Sequence, residues 1–245
     1  MKTTNPATGE KIDVRIAVTD AKTAHFSAGN SKMGKIISYS TMPGAGLQIM
    51  KDGRAHSNIG GTCAGVCAGC EKACYAMRAL RYPETVRAWS ENTKMIETEP
   101  SLFFDQLRAK LRRMRKLPAA VRVHVAGEFM PGEAGEREYL HLCAAAREFP
   151  GVRFYGYTKR TTILETYADI TPKNVVISVS TWHDDVAPVP GFPIFAYDDG
   201  TDPALAQAVH CPAVDKSGKR TGITCDQCRR CIDAKPGQIT AVYSH

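Results

Sequence analysis

Over residues 121 to 198 the chain switches repeatedly between the hydrophobic period of a strand and that of a helix, and few folds accept such a pattern. VRVHVAG (121–127) reads as a strand, EREYLHLCAAAREF as a helix and VRFYGYT (152–158) as a strand. TILETYADI follows as a short helix, NVVISVST (174–181) as a strand, HDDVAPVPG as a loop and FPIFAYD (192–198) as another strand. Strand–helix alternation implies parallel strands joined by crossovers. KIISYS, ending near Ser40, precedes this block, and ITAVYSH follows it after a short helix expected at DPALAQAVH. The expectation is an α/β chain whose six strands curl into a partial (β/α)6 barrel. In such folds reactive groups collect at the carboxyl ends of the strands.

The pattern divides the chain into three stretches. Residues 1–33 are rich in threonine, glycine and lysine and read as an N-terminal arm with one short strand at Val14 to Val18. Residues 34–209 form the barrel core, and residues 210–245 a cysteine-rich segment whose last strand packs on it. Within the core, helical pattern begins near Glu71, and a helix from Pro83 to Ile96 opens on Pro-Glu, a favourable first turn. The next helix, SLFFDQLRAKLRRMRK, places Phe103, Leu107, Leu111 and Met114 on one stripe. Its other face carries Arg108, Lys110, Arg112, Arg113, Arg115 and Lys116. That face reads either as a solvated surface or as a docking surface for nucleic acid or another anion.

The bulk properties narrow the setting. At 245 residues and 43% hydrophobic the chain can bury one substantial core. No window approaches the roughly 18 apolar residues of a membrane span, and the charged start is not followed by the apolar run of a signal peptide. A soluble, cytoplasmic protein is expected. The net charge of +7 allows a polyanionic partner.

Eight of the nine cysteines fall in two tight groups. Cys63, Cys67, Cys70 and Cys74 lie in TCAGVCAGCEKACYA, with glycine and alanine filling most of the gaps. Neighbours three apart are poor disulfide partners and good metal ligands. Thiolates so crowded repel one another unless a positive centre sits among them, so a soft metal or an iron–sulfur cluster is expected. Cys225, Cys228 and Cys231 read C-x-x-C-x-x-C, with Cys211-Pro212 upstream. This is a ferredoxin-like arrangement for a 4Fe-4S cluster with four thiolates. Structural zinc is the alternative, although zinc sites usually pair two knuckles across a longer spacer. Arg229 and Arg230 stand where they would offset the negative charge of such a centre. Cys143, alone in HLCAAAREF, reads as a buried small hydrophobe.

Two resemblances add to this reading. The spacing of Cys63, Cys67 and Cys70, after the first strand and before a helix, resembles the cluster loop of the radical S-adenosylmethionine superfamily. That likeness implies a 4Fe-4S cluster on three thiolates, with an open fourth iron that chelates the methionine end of S-adenosylmethionine. It departs from the superfamily at Gly69, where an aromatic residue is usual. Over most of the chain, from GNSKMGK near residue 29, the sequence resembles the phage family of gene product eighty-eight. The resemblance rests on TC at 62–63, CEKACYA at 70–76, VHVAGEF at 123–129, FYGYTKR at 154–160, VISVST, CP at 211–212, CDQCRRC at 225–231 and a terminal strand ending in His245. In that family's pattern Cys63, Cys70 and Cys74 recur and Cys67 is extra, so the two likenesses name different third ligands.

The superfamily likeness implies further site residues. Gly127 and Glu128 resemble the latter half of a Gly-Gly-Glu sequence that binds the methionine amino group. Ser178 and Ser180, two apart on one strand and so on one face, resemble positions that touch the cofactor's ribose or carboxylate. Tyr75, beside Cys74, is grouped with the cofactor-binding residues. Lys159 and Arg160 end the third strand, where they face a carboxylate or phosphate or are surface charges. Tyr155 and Tyr157 share a face. His183, Asp184 and Asp185 are candidates for substrate contact or proton transfer. The implied activity is that of a radical S-adenosylmethionine-type enzyme. It would generate a 5′-deoxyadenosyl radical to modify an unknown substrate, with a nucleic acid or nucleotide among the candidates, using an electron donor and an auxiliary 4Fe-4S cluster in the host cytoplasm. The alternative is a phage-encoded nucleic-acid-binding protein with structural zinc or inert clusters.

Overall fold

The structure is a computed structural model that describes residues 1–183 and 186–243. Seven parallel strands form its main sheet: β1 (Ile37–Ser38), β2 (Ala120–Arg122), β3 (Arg153–Thr158), β4 (Val175–Trp182), β5 (Ile194–Asp198), β6 (Val209–His210) and β7 (Ile239–Tyr243). Their order across the sheet is β1-β2-β3-β4-β5-β7-β6. Six strands therefore follow one another in chain order, and β6 is added at the far edge. All six neighbouring pairs are parallel. The sheet is open, since β1 and β6 stand at opposite edges rather than pairing.

The register assigns each side chain to one of two faces. Phe154 pairs with Val121 and Val175, Gly156 with Ile177, and Thr158 with Val179, so these residues look one way. That face is covered by α3 (Pro83–Thr98), α4 (Pro100–Arg112), α5 (Glu133–Glu148) and α6 (Thr161–Tyr167). Phe103, Phe104, Leu107 and Leu111 of α4 are fully buried there with Leu142 and Cys143 of α5. Each such side chain contributes about 1.5–3 kcal/mol of transfer free energy. The stripe expected on α4 is therefore the core-facing one, with Met114 partly buried at its end. On the outer side Arg108 and Arg112 reach Glu148 of α5, at 3.5 and 2.6 Å, so part of the basic face ties two helices together. Arg113, Arg115 and Lys116 remain exposed.

Three sequence expectations change. VRVHVAG yields only two residues of regular strand, Val121 and Arg122, because His124 and Gly127 adopt positive φ angles of 47° and 81°. The irregular stretch still bonds to its neighbours, through Val123 N–H to the Tyr155 carbonyl (2.7 Å) and Val125 N–H to the Tyr39 carbonyl (3.0 Å). DPALAQAVH is not a helix: a single 3-10 turn at Pro203–Leu205 precedes β6, whose Val209 and His210 pair with Thr240 and Ala241 of β7. Residues 1–33 contain a hairpin of Lys2–Thr4 and Lys11–Ile16, and the second of these strands pairs with Ala55–Ser57 in a small separate sheet. The strand expected at Val14 to Val18 thus starts earlier, at Lys11.

Candidate functional site

The other face of the sheet carries a different class of residue. Arg122 pairs with Tyr155, Tyr157 with Ser178, Ser180 with Phe195, and Trp182 with Tyr197, so polar and aromatic side chains alternate with the buried valines behind them. Over this face and the carboxyl ends of its strands lies a cavity of about 540 Å³, and both cysteine groups line it. Two thiol groups more than 130 residues apart in sequence thus share one chamber, roughly the arrangement expected of a site at strand ends.

The first group is delivered by the long loop after β1. Thr62 and Cys63 donate backbone N–H bonds to the Met42 and Gly44 carbonyls, at 2.9 and 3.0 Å. A side chain at Gly61 would strike the Gly44 carbonyl oxygen at 2.0 Å, so the two loop strands pass too closely for any other residue. Cys63, Cys70 and Cys74 line the cavity. Cys67 is outside its wall: it caps the short helix α1 (Ala68–Ala73), and its sulfur accepts the Cys70 N–H at 3.4 Å. Burial, then the charge of Glu128, pushes the Cys63 thiol up to about 12. Tyr75, at the start of α2 (Tyr75–Ala79), donates its hydroxyl to the Val125 carbonyl and so pins the loop to the end of β2. A Cβ at Gly69 would come within 3.0 Å of the Trp182 indole. The position is small because Trp182, from β4, occupies that space.

The second group is held from two sides. Cys225 and Asp226 donate N–H bonds to the carbonyls of Lys32 and Met33, and the Asp226 carboxylate accepts the Lys35 N–H at 2.9 Å. Gly34 is obligatory there, since a Cβ would overlap the Asp226 carboxylate at 1.9 Å. The GNSKMGK stretch is thus the cradle of the second group. Thr224 and Gln227 form a capping box on α7 (Cys225–Cys228), and Arg229 leaves it in the left-handed region at φ 57°. Cys211 joins from the end of β6, its N–H bonded to the Ala241 carbonyl. Cys211, Cys225, Cys228 and Cys231 all line the cavity. Burial raises Cys225 and takes Cys231 up to about 11. Arg229 bonds Asp233 at 2.8 Å, and Arg230 bonds Thr240 and the Ile239 carbonyl, so neither guanidinium is held by the cysteines.

Gly127 and Glu128 connect the strand ends. Thr158 Oγ1 and the Phe129 N–H donate to Glu128 Oε1, at 2.7 and 2.8 Å, and the Lys159 N–H donates to Oε2 at 2.8 Å. Burial pushes the Glu128 carboxyl above its ordinary value, against these bonds. Oε2, with one donor, keeps acceptor capacity. The Glu128 N–H reaches Thr62 Oγ1 (2.8 Å), Thr62 lies 3.1 Å from Thr41 Oγ1, and Thr41 lies 3.2 Å from His124 Nδ1. His124 Nε2 in turn lies 2.8 Å from Glu138 of α5, with both side chains fully buried. A continuous polar chain therefore runs from the helix layer to the residue before Cys63.

The remaining expected residues separate. Lys159 and Ser180 line the cavity. Ser178 shares the face of Ser180 but is buried. Arg160 lies beside Gly135 at the start of α5. His183 pairs with Asp199 at 2.8 Å, partly exposed, on the strand end past Trp182. Asp184 and Asp185 lie outside the described residues, as does the terminal His245. Sequence reasoning passed over Arg122, His124 and Trp182, all on the cavity wall. The first two had a signal: they alternate with Val121, Val123 and Val125, as Tyr155 and Tyr157 alternate with core residues. Among the described residues no three Cys, His, Asp or Glu side chains already converge on a point where one ion would sit. Beside the second group Arg122 Nε is buried without a hydrogen-bond partner, and the buried Tyr155 hydroxyl makes no well-formed hydrogen bond but has the Cys225 sulfur beside it.

The chain belongs to the family described as Gene product 88, whose family model matches residues 19–234. No curated protein and no solved structure matches the chain.

Proposed function

We propose that this member of the phage Gene product 88 family is a metal–thiolate enzyme of the radical S-adenosylmethionine type, with an open three-thiolate site at Cys63, Cys70 and Cys74 and a second, four-thiolate site at Cys211, Cys225, Cys228 and Cys231. The observation that carries the three-thiolate site is the separation of Cys67 from the other three; it follows the family's pattern of Cys63, Cys70 and Cys74 and departs from the superfamily spacing, which counts Cys67 as a ligand. Three thiols on a cavity wall, with the fourth turned away to cap a helix, is the donor count of a centre that keeps one position open. The donor chemistry of three thiols fits a soft cation, whose binding would have to displace the proton that burial favours on Cys63, its thiol being pushed up to about 12. The buried donors Arg122 Nε, which has no partner, and the Tyr155 hydroxyl, beside the Cys225 sulfur, fit an anionic centre at the second group. The sequential strand order also supports a partial-barrel winding of the kind the superfamily uses.

Cys63, Cys70 and Cys74 would hold a 4Fe-4S cluster at the first site, which in its reduced form would supply the electron for cleavage of the sulfonium carbon–sulfur bond of S-adenosylmethionine. The chain's own residues bind and orient. The remaining acceptor capacity of Glu128 Oε2 suits an ammonium group, and Lys159 and Ser180 line the same cavity and suit a carboxylate or a hydroxyl. Gly127 lets the strand end pack closely against Thr41 and Thr62, which fixes the backbone that carries Glu128. Trp182, stacked on Tyr197 at 3.8 Å, gives the cavity an apolar wall that limits water. The substrate, a nucleic acid or nucleotide among the candidates, enters the same cavity, and an electron donor docks from outside.

The test is anaerobic reconstitution with iron and sulfide, reduction, and chromatography for 5′-deoxyadenosine and methionine. Both products are expected in equal amounts from the full-length protein, and neither from Cys70→Ser. An intact cluster that neither binds nor cleaves S-adenosylmethionine would remove the proposal.

A further inference from the structure

We infer that Arg122 and Tyr155 are the positioning residues of the second thiol site, donating hydrogen bonds to the sulfur atoms of an anionic metal centre held by Cys211, Cys225, Cys228 and Cys231. The inference rests on the reading of that group as a metal site and not on the chemistry proposed for the first. The two residues are direct cross-strand partners on β2 and β3, on the face that looks into the cavity. Tyr155 is 1% exposed, and its hydroxyl makes no well-formed hydrogen bond but has the Cys225 sulfur beside it; Arg122 Nε is buried and unpartnered. A buried donor left unmade is costly, and a buried cation without an anion more so. Two such donors side by side call for an acceptor in front of them.

What stands in front of them is the second cysteine group. Tyr155 packs in one small cluster with Met33, Ile36, Ala120 and Ile232, with Cys225 and Cys231 against it. The other contacts of the Arg122 guanidinium are the Tyr75 hydroxyl, Met33 Sδ at 3.7 Å and the Tyr157 ring, 5.1 Å from its centre. Arg122 forms no ion pair with a carboxylate among the described residues. Thiolate and bridging sulfide sulfurs are large, diffuse acceptors that suit a guanidinium edge and a phenol, and partners of this kind are known to tune metal–sulfur centres. The arginines adjacent to the cysteines in sequence, Arg229 and Arg230, are bonded elsewhere. The charge-compensating role expected of them falls to Arg122, about a hundred positions away, with Lys32 also beside Cys211 and Cys225.

The experiment loads the full chain anaerobically and follows two quantities: the rate at which each site gives up its metal to a chelator, and the midpoint potential of each cluster. Cys63→Ser is used to assign which signal belongs to the second site. Tyr155→Phe, which removes one oxygen and keeps the ring, and Arg122→Met are each expected to speed metal loss from the second site about tenfold or more. The second-site reduction equilibrium should shift about tenfold towards the oxidised form, about 59 mV lower for one electron. Arg122→Lys, which keeps the charge but loses the fork, should recover part of both effects. If the second site carries zinc, the release rate alone decides, with the same expectation. Unchanged release and potential at the second site in both variants overturn the inference, as does a change confined to the first. Inactivity towards S-adenosylmethionine with these shifts present would count against the proposed function and leave the inference standing.

Discussion

Replacing Gly127 by alanine isolates the contribution of one backbone position to the candidate site. Gly127 has φ 81°, and a Cβ built on it would lie 2.0 Å from Thr41 Oγ1, 2.9 Å from Thr62 Oγ1 and 3.0 Å from the Thr41 carbonyl carbon. A non-glycine residue in the left-handed region costs roughly 1–2 kcal/mol. The contact with Thr41 adds overpacking of about 1–3 kcal/mol, because backbone must move as well as the hydroxyl. If Thr41 turns away, its contacts with His124 and Thr62 are lost, at about 1 kcal/mol each. The expected destabilisation is about 4 kcal/mol, a large share of the roughly 5–15 kcal/mol that holds a domain together. Gly53→Ala is the internal control: its φ is 81° too, with nothing within 4 Å of the added carbon, so only the backbone cost of about 1–2 kcal/mol should appear. Equilibrium urea unfolding of the metal-loaded protein and both variants measures the difference. A Gly127→Ala loss no greater than that of Gly53→Ala would refute the reasoning, because the steric and network contributions would then be absent.

Two further outcomes follow from thiol ionisation and from the aromatic wall. The folded-state pKa of Cys63, about 12, and of Cys231, about 11, lie above the ordinary thiol value near 9. For an acid whose folded pKa is raised, the unfolded chain releases its proton first, so stability is full below about pH 8.5 and falls as pH rises towards the folded pKa, by up to about 1.4 kcal/mol per unit for each group. Metal-free protein should therefore lose urea resistance between pH 8.5 and 10.5; in the loaded protein these thiols are already ionised and the decline should be much weaker, and equal slopes for the two forms would contradict the assignment. Gly69→Phe should displace Trp182, which a Cβ alone would approach to 3.0 Å; loss of the Trp182–Tyr197 stacking, read as a change in near-ultraviolet circular dichroism, checks it.

The sheet was legible because its strands are long apolar runs separated by helical ones, and because a parallel order follows from that alternation alone. The extra edge strand at Val209–His210 was not: it is two residues long, and its pairing with β7 is decided by tertiary contact, against a local alanine-rich pattern that favours helix. The cysteines announced themselves by crowding, yet spacing could not say which of Cys67 and Cys74 faces the cavity. That choice depends on whether a residue caps α1, which places its sulfur against the Cys70 N–H instead of in the chamber. The shared chamber was also hidden, because it depends on the residue 30–35 loop gripping Asp226 from nearly two hundred positions away. Arg229 and Arg230 show the opposite error, in which nearness in sequence suggested a contact that Asp233 and β7 take instead.

The central claim is that Cys63, Cys70 and Cys74 form the first site and Cys67 stands outside it. Iron and acid-labile sulfide counted per chain in anaerobically reconstituted Cys67→Ser and Cys74→Ser test it most directly. Cys67→Ser should retain the full content of the unaltered protein, and Cys74→Ser should lose about half of it, one 4Fe-4S cluster of two. The reverse pattern, with iron lost on changing Cys67 and kept on changing Cys74, would contradict the account.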